Sequence, residues 1–85
     1  MLKVEKVIVT VAVNERISID MELPVFMPIV DLADKMLETL KVLYPAEFES
    51  VADIQLIRQG EPLDGQSTLA SMGVWDGAVL EVIRG

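Results

Sequence analysis

The sequence contains no cysteine and no histidine. The first absence excludes a disulfide framework, a thiolate nucleophile and a sulfur-based metal site. The second removes the commonest general base and the commonest metal ligand. Basic residues are scarce: seven Lys and Arg stand against fourteen Asp and Glu, a net charge of −7, and no two of the basic residues adjoin. Phosphate binding needs clustered Lys and Arg, so nucleic acid is not an expected partner. Anionic membrane surfaces are disfavoured for the same reason. Long apolar runs are also missing, and no segment reads as a bilayer span. No basic stretch precedes an apolar segment with a cleavage site, so no signal peptide is recognised. A cytoplasmic location is the resulting expectation.

What is present is an ample supply of core-forming residues. Hydrophobic side chains make up 52% of the 85 residues and charged ones 25%, the balance of an ordinary globular chain rather than a disordered one. That length predicts a single domain over residues 1–85, whose one core buries roughly 60–65% of the unfolded surface.

Two strands open the chain. "KVEKVIVTVAV" (3–13) places Val7, Val9, Val11 and Val13 on one face. After "NE" (14–15), Ile17, Ile19, Met21 and Leu23 alternate strictly with Arg16, Ser18, Asp20 and Glu22. So clean a period of two means one face in the core and one in water. So short a break makes the pair an antiparallel hairpin, and because Glu15 is not the glycine of a tight primed turn, a longer loop or bulge is compatible with it.

Pro24 ends the second strand, and Pro28 is expected at the first helical position. From there the period changes. Ile29, Leu32, Ala33, Met36, Leu37 and Leu40 form one helical stripe, with Asp31 and Asp34 early and Lys41 late, matching the helix dipole. Pro45 ends this helix, and residues 45–52 read as a connection without period.

"DIQLIRQ" (53–59) is a third strand with Ile54 and Leu56 inward. "GEPLDGQS" (60–67) holds two turns around Leu63, which anchors a very short edge strand. "TLASMG" (68–73) suits a single helical turn begun by Thr68 and stopped by Gly73. "AVLEVIR" (78–84) is the closing strand. The layout is α+β: a mixed sheet of four to five strands, one main helix packed across one face and a short second helical turn. The first and last strands are the most uniformly apolar, so they are expected side by side and parallel in the middle of the sheet.

Residues 54–83, "IQLIRQGEPLDGQSTLASMGVWDGAVLEVI", resemble the ubiquitin-like β-grasp superfamily. Leu56, Gly60, Leu63, Thr68, Leu69, Val74, Leu80 and Val82 take its pattern positions. The first half, with its apolar hairpin and the run "LPVFMPIVDL" (23–32), is similar to the small bacterial YukD-like proteins of type VII secretion systems. The resemblance implies a non-catalytic protein–protein interaction adaptor, a cytosolic accessory of such a system, with secretion-system components as partners. It also implies an alternative: a covalent modifier or sulfur carrier activated at its C-terminal glycine. Such proteins resemble one another in ending with two glycines on a flexible extension. This chain ends Arg84-Gly85, with both residues expected to lie beyond the last strand, too short a reach for that chemistry.

The expected docking residues lie on the sheet face opposite the helix, with the acidic surface as the other candidate for docking. Parity places Ile57, Val79, Glu81 and Ile83 on that sheet face, with Ile8 and Ala12 from the first strand. So apolar a face open to water is a candidate for a protein partner or for a homodimer. Ubiquitin relatives commonly bind partners around the position that Ile57 occupies. Glu81 stands where ubiquitin has a histidine, so ubiquitin's own readers are not expected to bind. Trp75, beside Asp76-Gly77, is expected to cap the core edge. The acidic groups Asp20 with Glu22, and Glu47 with Glu49 and Asp53, do not match a calcium loop, and no metal, cofactor or catalytic residue is expected.

Overall fold

The computed structural model describes residues 5–84. Its elements are β1 (Lys6–Ala12), β2 (Ser18–Pro24), α1 (Ile29–Leu43), α2 (Pro45–Phe48), β3 (Ile54–Arg58), β4 (Glu61–Pro62) and β5 (Val79–Arg84). They form a mixed five-stranded sheet in the order β2-β1-β5-β3-β4. β1 and β5 are parallel neighbours at its centre, and the remaining pairs are antiparallel.

The hairpin closes without glycine because a side chain does the work of the turn. The Asn14 carboxamide oxygen accepts from the backbone N–H groups of Arg16 (2.7 Å) and Ile17 (2.9 Å), an Asx-type closure. The Val13 N–H donates to the Ile17 carbonyl at 2.9 Å, fixing the register. The β3–β4 connection takes the other route. Gln59 (φ 52°) and Gly60 (φ 81°) both have positive φ, the backbone pattern of a type I′ hairpin turn.

α1 buries the expected stripe, Ile29, Leu32, Ala33, Met36, Leu37 and Leu40. Pro28 sits one position earlier than expected, as the N-cap in an extended conformation, and offers no side-chain cap. The loop before the second turn replaces it: the Ile29 N–H donates to the Ser67 carbonyl (2.8 Å) and the Val30 N–H to the Gly65 carbonyl (3.0 Å). The helix start and residues 65–67 therefore hold each other, satisfying amides that a helix leaves unpaired.

Two expectations need correction. Residues 45–52 are not a plain connection, because Pro45 opens the single-turn helix α2 and drives Phe48 fully into the core. One turn is too short to show a period, and a lone Phe carries no direction in sequence. Residues 68–73 form the expected single helical turn: the Met72 N–H donates to the Thr68 carbonyl (3.1 Å), and Gly73 ends the turn with a positive φ of 69°. In it Thr68 Oγ1 accepts from the Ser71 N–H (3.1 Å), and Ser71 Oγ accepts from the Thr68 N–H (3.0 Å). The Ala70 N–H donates to the Val25 carbonyl (3.0 Å), and the Arg58 guanidinium to the Met72 carbonyl (2.8 Å), pinning that turn to the body. The second correction is Arg84, which does not hang free. It pairs with Ile54 in the β3–β5 ladder, its guanidinium lies 3.2 Å from Glu47 Oε2, and it stands 5.8 Å from the Phe48 ring centroid. Gly85 lies outside the described residues.

The core between sheet and helix joins Val7, Val9, Val11, Leu23, Leu56, Leu80 and Val82 to the α1 stripe, Phe48, Leu69 and Val74. No polar or charged residue is buried among the described residues.

Candidate protein-docking face

The outward face is set by the same period of two that builds the core. On β1 it carries Ile8, Thr10 and Ala12, on β5 Val79, Glu81 and Ile83, and on β3 Gln55 and Ile57. Register brings them together: Thr10 lies beside Val79, Ala12 beside Glu81, Ile57 on the far side of Glu81, and Gln55 beside Ile83. Ile8, Val79 and Ile83 are about half exposed, at 52%, 52% and 54%. Glu81 is exposed at the centre, and Ala12 is partly buried.

Ile57 departs from expectation. It lies on this face and outside the main core cluster, yet is only 6% exposed. Its flanks explain this: Glu81 on β5 and Pro62 on β4 are its direct cross-strand neighbours. Strand parity gives a side chain's direction but not its cover, and the expected short edge strand does not by itself say which residues of β3 it shields. Ile57 is therefore floor rather than a projecting contact. The projecting apolar groups are Ile8 and Val79 toward one end and Ile83 toward the other.

The face is acidic as well as apolar. Beside β1, the outward residues of β2 are Ser18, Asp20 and Glu22. Thr10 Oγ1 donates to Asp20 Oδ1 at 2.8 Å, and Lys6 Nζ stands 3.6 Å from Glu22 Oε1, both side chains well exposed. A shallow groove of about 330 Å³ is lined by Ala12, Val13, Asn14, Glu15, Glu81, Val82 and Ile83. Two carboxylates and an exposed isoleucine around one groove suit a basic side chain with an apolar stem.

At the other end, the Asp76 carboxylate accepts from the Ile8 N–H (2.7 Å), and the Gly77 N–H donates to the Ile8 carbonyl (3.0 Å). These bonds clamp the loop carrying Trp75 to the start of β1. Trp75 is 60% exposed, so it does not cap the core edge as the sequence suggested. Among the described residues no group of three or more His, Cys, Asp or Glu is placed to hold a metal ion. No described helix is long and apolar enough to cross a membrane.

Comparison with known structures supports the fold. The EccD5 ubiquitin-like domain from Mycobacterium xenopi superposes with a TM-score of 0.80 at 18% identity, over 94% of each chain. The ubiquitin-like domain of the Mycobacterium tuberculosis type VII secretion system protein EccD1 gives 0.72 at 24% identity, over 92% of this chain and 97% of that one. A chain of the MycP5-free ESX-5 inner membrane complex gives 0.79 at 22% identity. The match covers 95% of the present chain but only 21% of that longer one. No curated protein sequence gives a significant match. The fold is thus the ubiquitin-like β-grasp. The model of the family described as WXG100 protein secretion system (Wss), protein YukD, matches residues 6–82, and the chain belongs to that family.

Proposed function

We propose that this chain is a non-catalytic ubiquitin-like adaptor of a bacterial type VII secretion apparatus, working on the cytoplasmic side and docking a protein partner through its outward sheet face. Family membership supports the secretion setting. The observation that carries the docking role is the placement of Ile8, Val79 and Ile83, half exposed on one continuous sheet face around Glu81. Covering the remaining exposed area of each contributes about 1 kcal/mol. The partner surface is apolar with at least one basic group, to meet Glu81 and Glu15.

The test is co-purification of the tagged chain with the cytosolic domains of its host's secretion components. Val79→Asp and Ile83→Asp are compared with Val42→Asp, which alters an exposed site on α1 (80% exposed). An added carboxylate loses apolar burial and sits beside Glu81, so the first two variants should lower affinity at least tenfold while Val42→Asp leaves it unchanged. Equal capture by all three rejects this face. A dimer in sedimentation that Ile83→Asp abolishes identifies a second copy as the occupant. Intact mass of the chain from native cells should be the unmodified mass. A thiocarboxylate, or an adduct lost when Gly85 is deleted, overturns the adaptor reading in favour of a modifier or sulfur carrier.

A further inference from the structure

The sheet order leaves β2 at an edge. Antiparallel ladders alternate between hydrogen-bonded and non-bonded pairs, and two bonds fix the phase here. The Val13 N–H donates to the Ile17 carbonyl (2.9 Å), and the Val25 N–H to the Glu5 carbonyl (3.0 Å). The intervening pairs Val11–Ile19, Val9–Met21 and Val7–Leu23 therefore bond β2 to β1. The N–H and C=O groups of Ser18, Asp20 and Glu22 then point outward from the sheet edge. Pro24 comes next in this outward series, and it has no N–H to leave unpaired. Among the described residues, no other strand pairs with this edge.

An open row of donors and acceptors is a template for another strand, and the side chains say which kind. On the helix side Ile17, Ile19 and Met21 pack on the core but stay only partly buried, so apolar surface continues to the edge. On the other side Asp20 and Glu22 are exposed. A strand laid against β2 sets its side chains about 4.5–5.5 Å from those directly opposite. Alternate residues would thus meet Ile19 and Met21, and the intervening ones Asp20 and Glu22. A second copy suits this edge poorly. Antiparallel β2–β2 pairing brings carboxylates against carboxylates, and like charges directly opposite are destabilising. The acidic residues that discourage self-pairing favour a basic strand. The Lys6–Glu22 pair is exposed and weak, so it yields readily to a closer cation.

We propose that the open edge of β2 accepts an extended polypeptide segment alternating Lys or Arg with apolar β-branched residues, added to the sheet as a further strand. The probe is the capped heptapeptide Lys-Val-Lys-Ile-Lys-Val-Lys. Its control, Lys-Lys-Lys-Lys-Val-Ile-Val, has the same charge without the alternation. Amide hydrogen exchange of the free chain should show Ser18, Asp20 and Glu22 exchanging fast while Ile19, Met21 and Leu23 are slow. Saturating probe should slow the first set at least tenfold. Asp20→Lys should weaken the probe at least tenfold. Glu22→Pro should do the same, since proline there removes an outward N–H and no bond to β1, and its unfolding midpoint confirms that it folds. Ile83→Asp should leave probe binding unchanged, because it lies on the sheet face and not at this edge. The proposal is overturned if the probe protects none of the three amides or if the block control binds equally well. It is also overturned if the amides become protected by raising protein concentration alone, which makes a second copy the occupant.

Discussion

Replacing Ile57 with alanine should destabilise the fold far more than replacing Ile83, although both lie on the outward face. Ile57 is 6% exposed and Ile83 54% exposed. Truncating a buried isoleucine to alanine removes transfer energy and leaves a cavity, at a cost of about 2–5 kcal/mol. Ile57 lies outside the main core cluster and beside the flexible side chain of Glu81, so partial collapse of the site keeps the cost near the low end, about 2.5 kcal/mol. In a domain of this size that lowers Tm by about 10–20 °C. Ile83→Ala should cost less than about 1 kcal/mol, the span of strand propensity. Urea unfolding followed by far-ultraviolet circular dichroism measures both. The slope should be unchanged, so the midpoint alone carries the difference. Equal, small losses for the two variants would refute the burial argument. The comparison also bears on binding experiments: Ile57→Asp places a carboxylate in a covered site, and lost capture in that variant would report unfolding. Val79 and Ile83 are the positions where lost capture reports contact.

Two further outcomes test the scaffold. Thr68→Ala removes the acceptor of the Ser71 N–H (3.1 Å) and Ser71→Ala that of the Thr68 N–H (3.0 Å), one bond each of a reciprocal pair; each should cost about 1 kcal/mol, and the double variant should depart from the sum because the two bonds share one turn, as chemical denaturation will show. Arg84→Ala removes a pair whose side chains are 40% and 41% exposed; its cost should stay below about 1 kcal/mol and shrink further in high salt, and a larger, salt-independent loss would point to the stacking over Phe48 instead.

The parts legible in sequence were those with a sustained period. Four alternating valines and six helical positions mark the buried faces of the first strand and of α1, because each such position has only one face to choose. The central pairing of β1 with β5 followed from their uniform apolarity. What was not legible depended on single residues or on cover from elsewhere. Phe48 had no periodic neighbours to give it direction. Parity sets Ile57 on the outward face, but its cover comes from a two-residue strand. Arg84 reads as a tail residue because its partners, Glu47 and Ile54, are distant in sequence. The free edge of β2 had one sequence sign, Pro24 within an alternating strand, whose meaning became clear only with the strand order.

That order also governs how the chain can assemble as it is made. β5 is the last strand to be synthesised, yet it joins the two halves of the sheet. A nascent chain that has emerged only as far as Gly77 lacks the strand that joins β1–β2 to β3–β4 in the finished sheet, and an isolated two-stranded hairpin is marginal in water. Each half presents a vacant inner edge until residues 79–84 leave the ribosome and fill both at once. Closing a pairing between residue 10 and residue 79 is slow compared with forming a local hairpin, and unpaired edges invite aggregation while it lasts. Variants that weaken β5 should therefore lower soluble yield during expression by more than their effect on the finished fold implies.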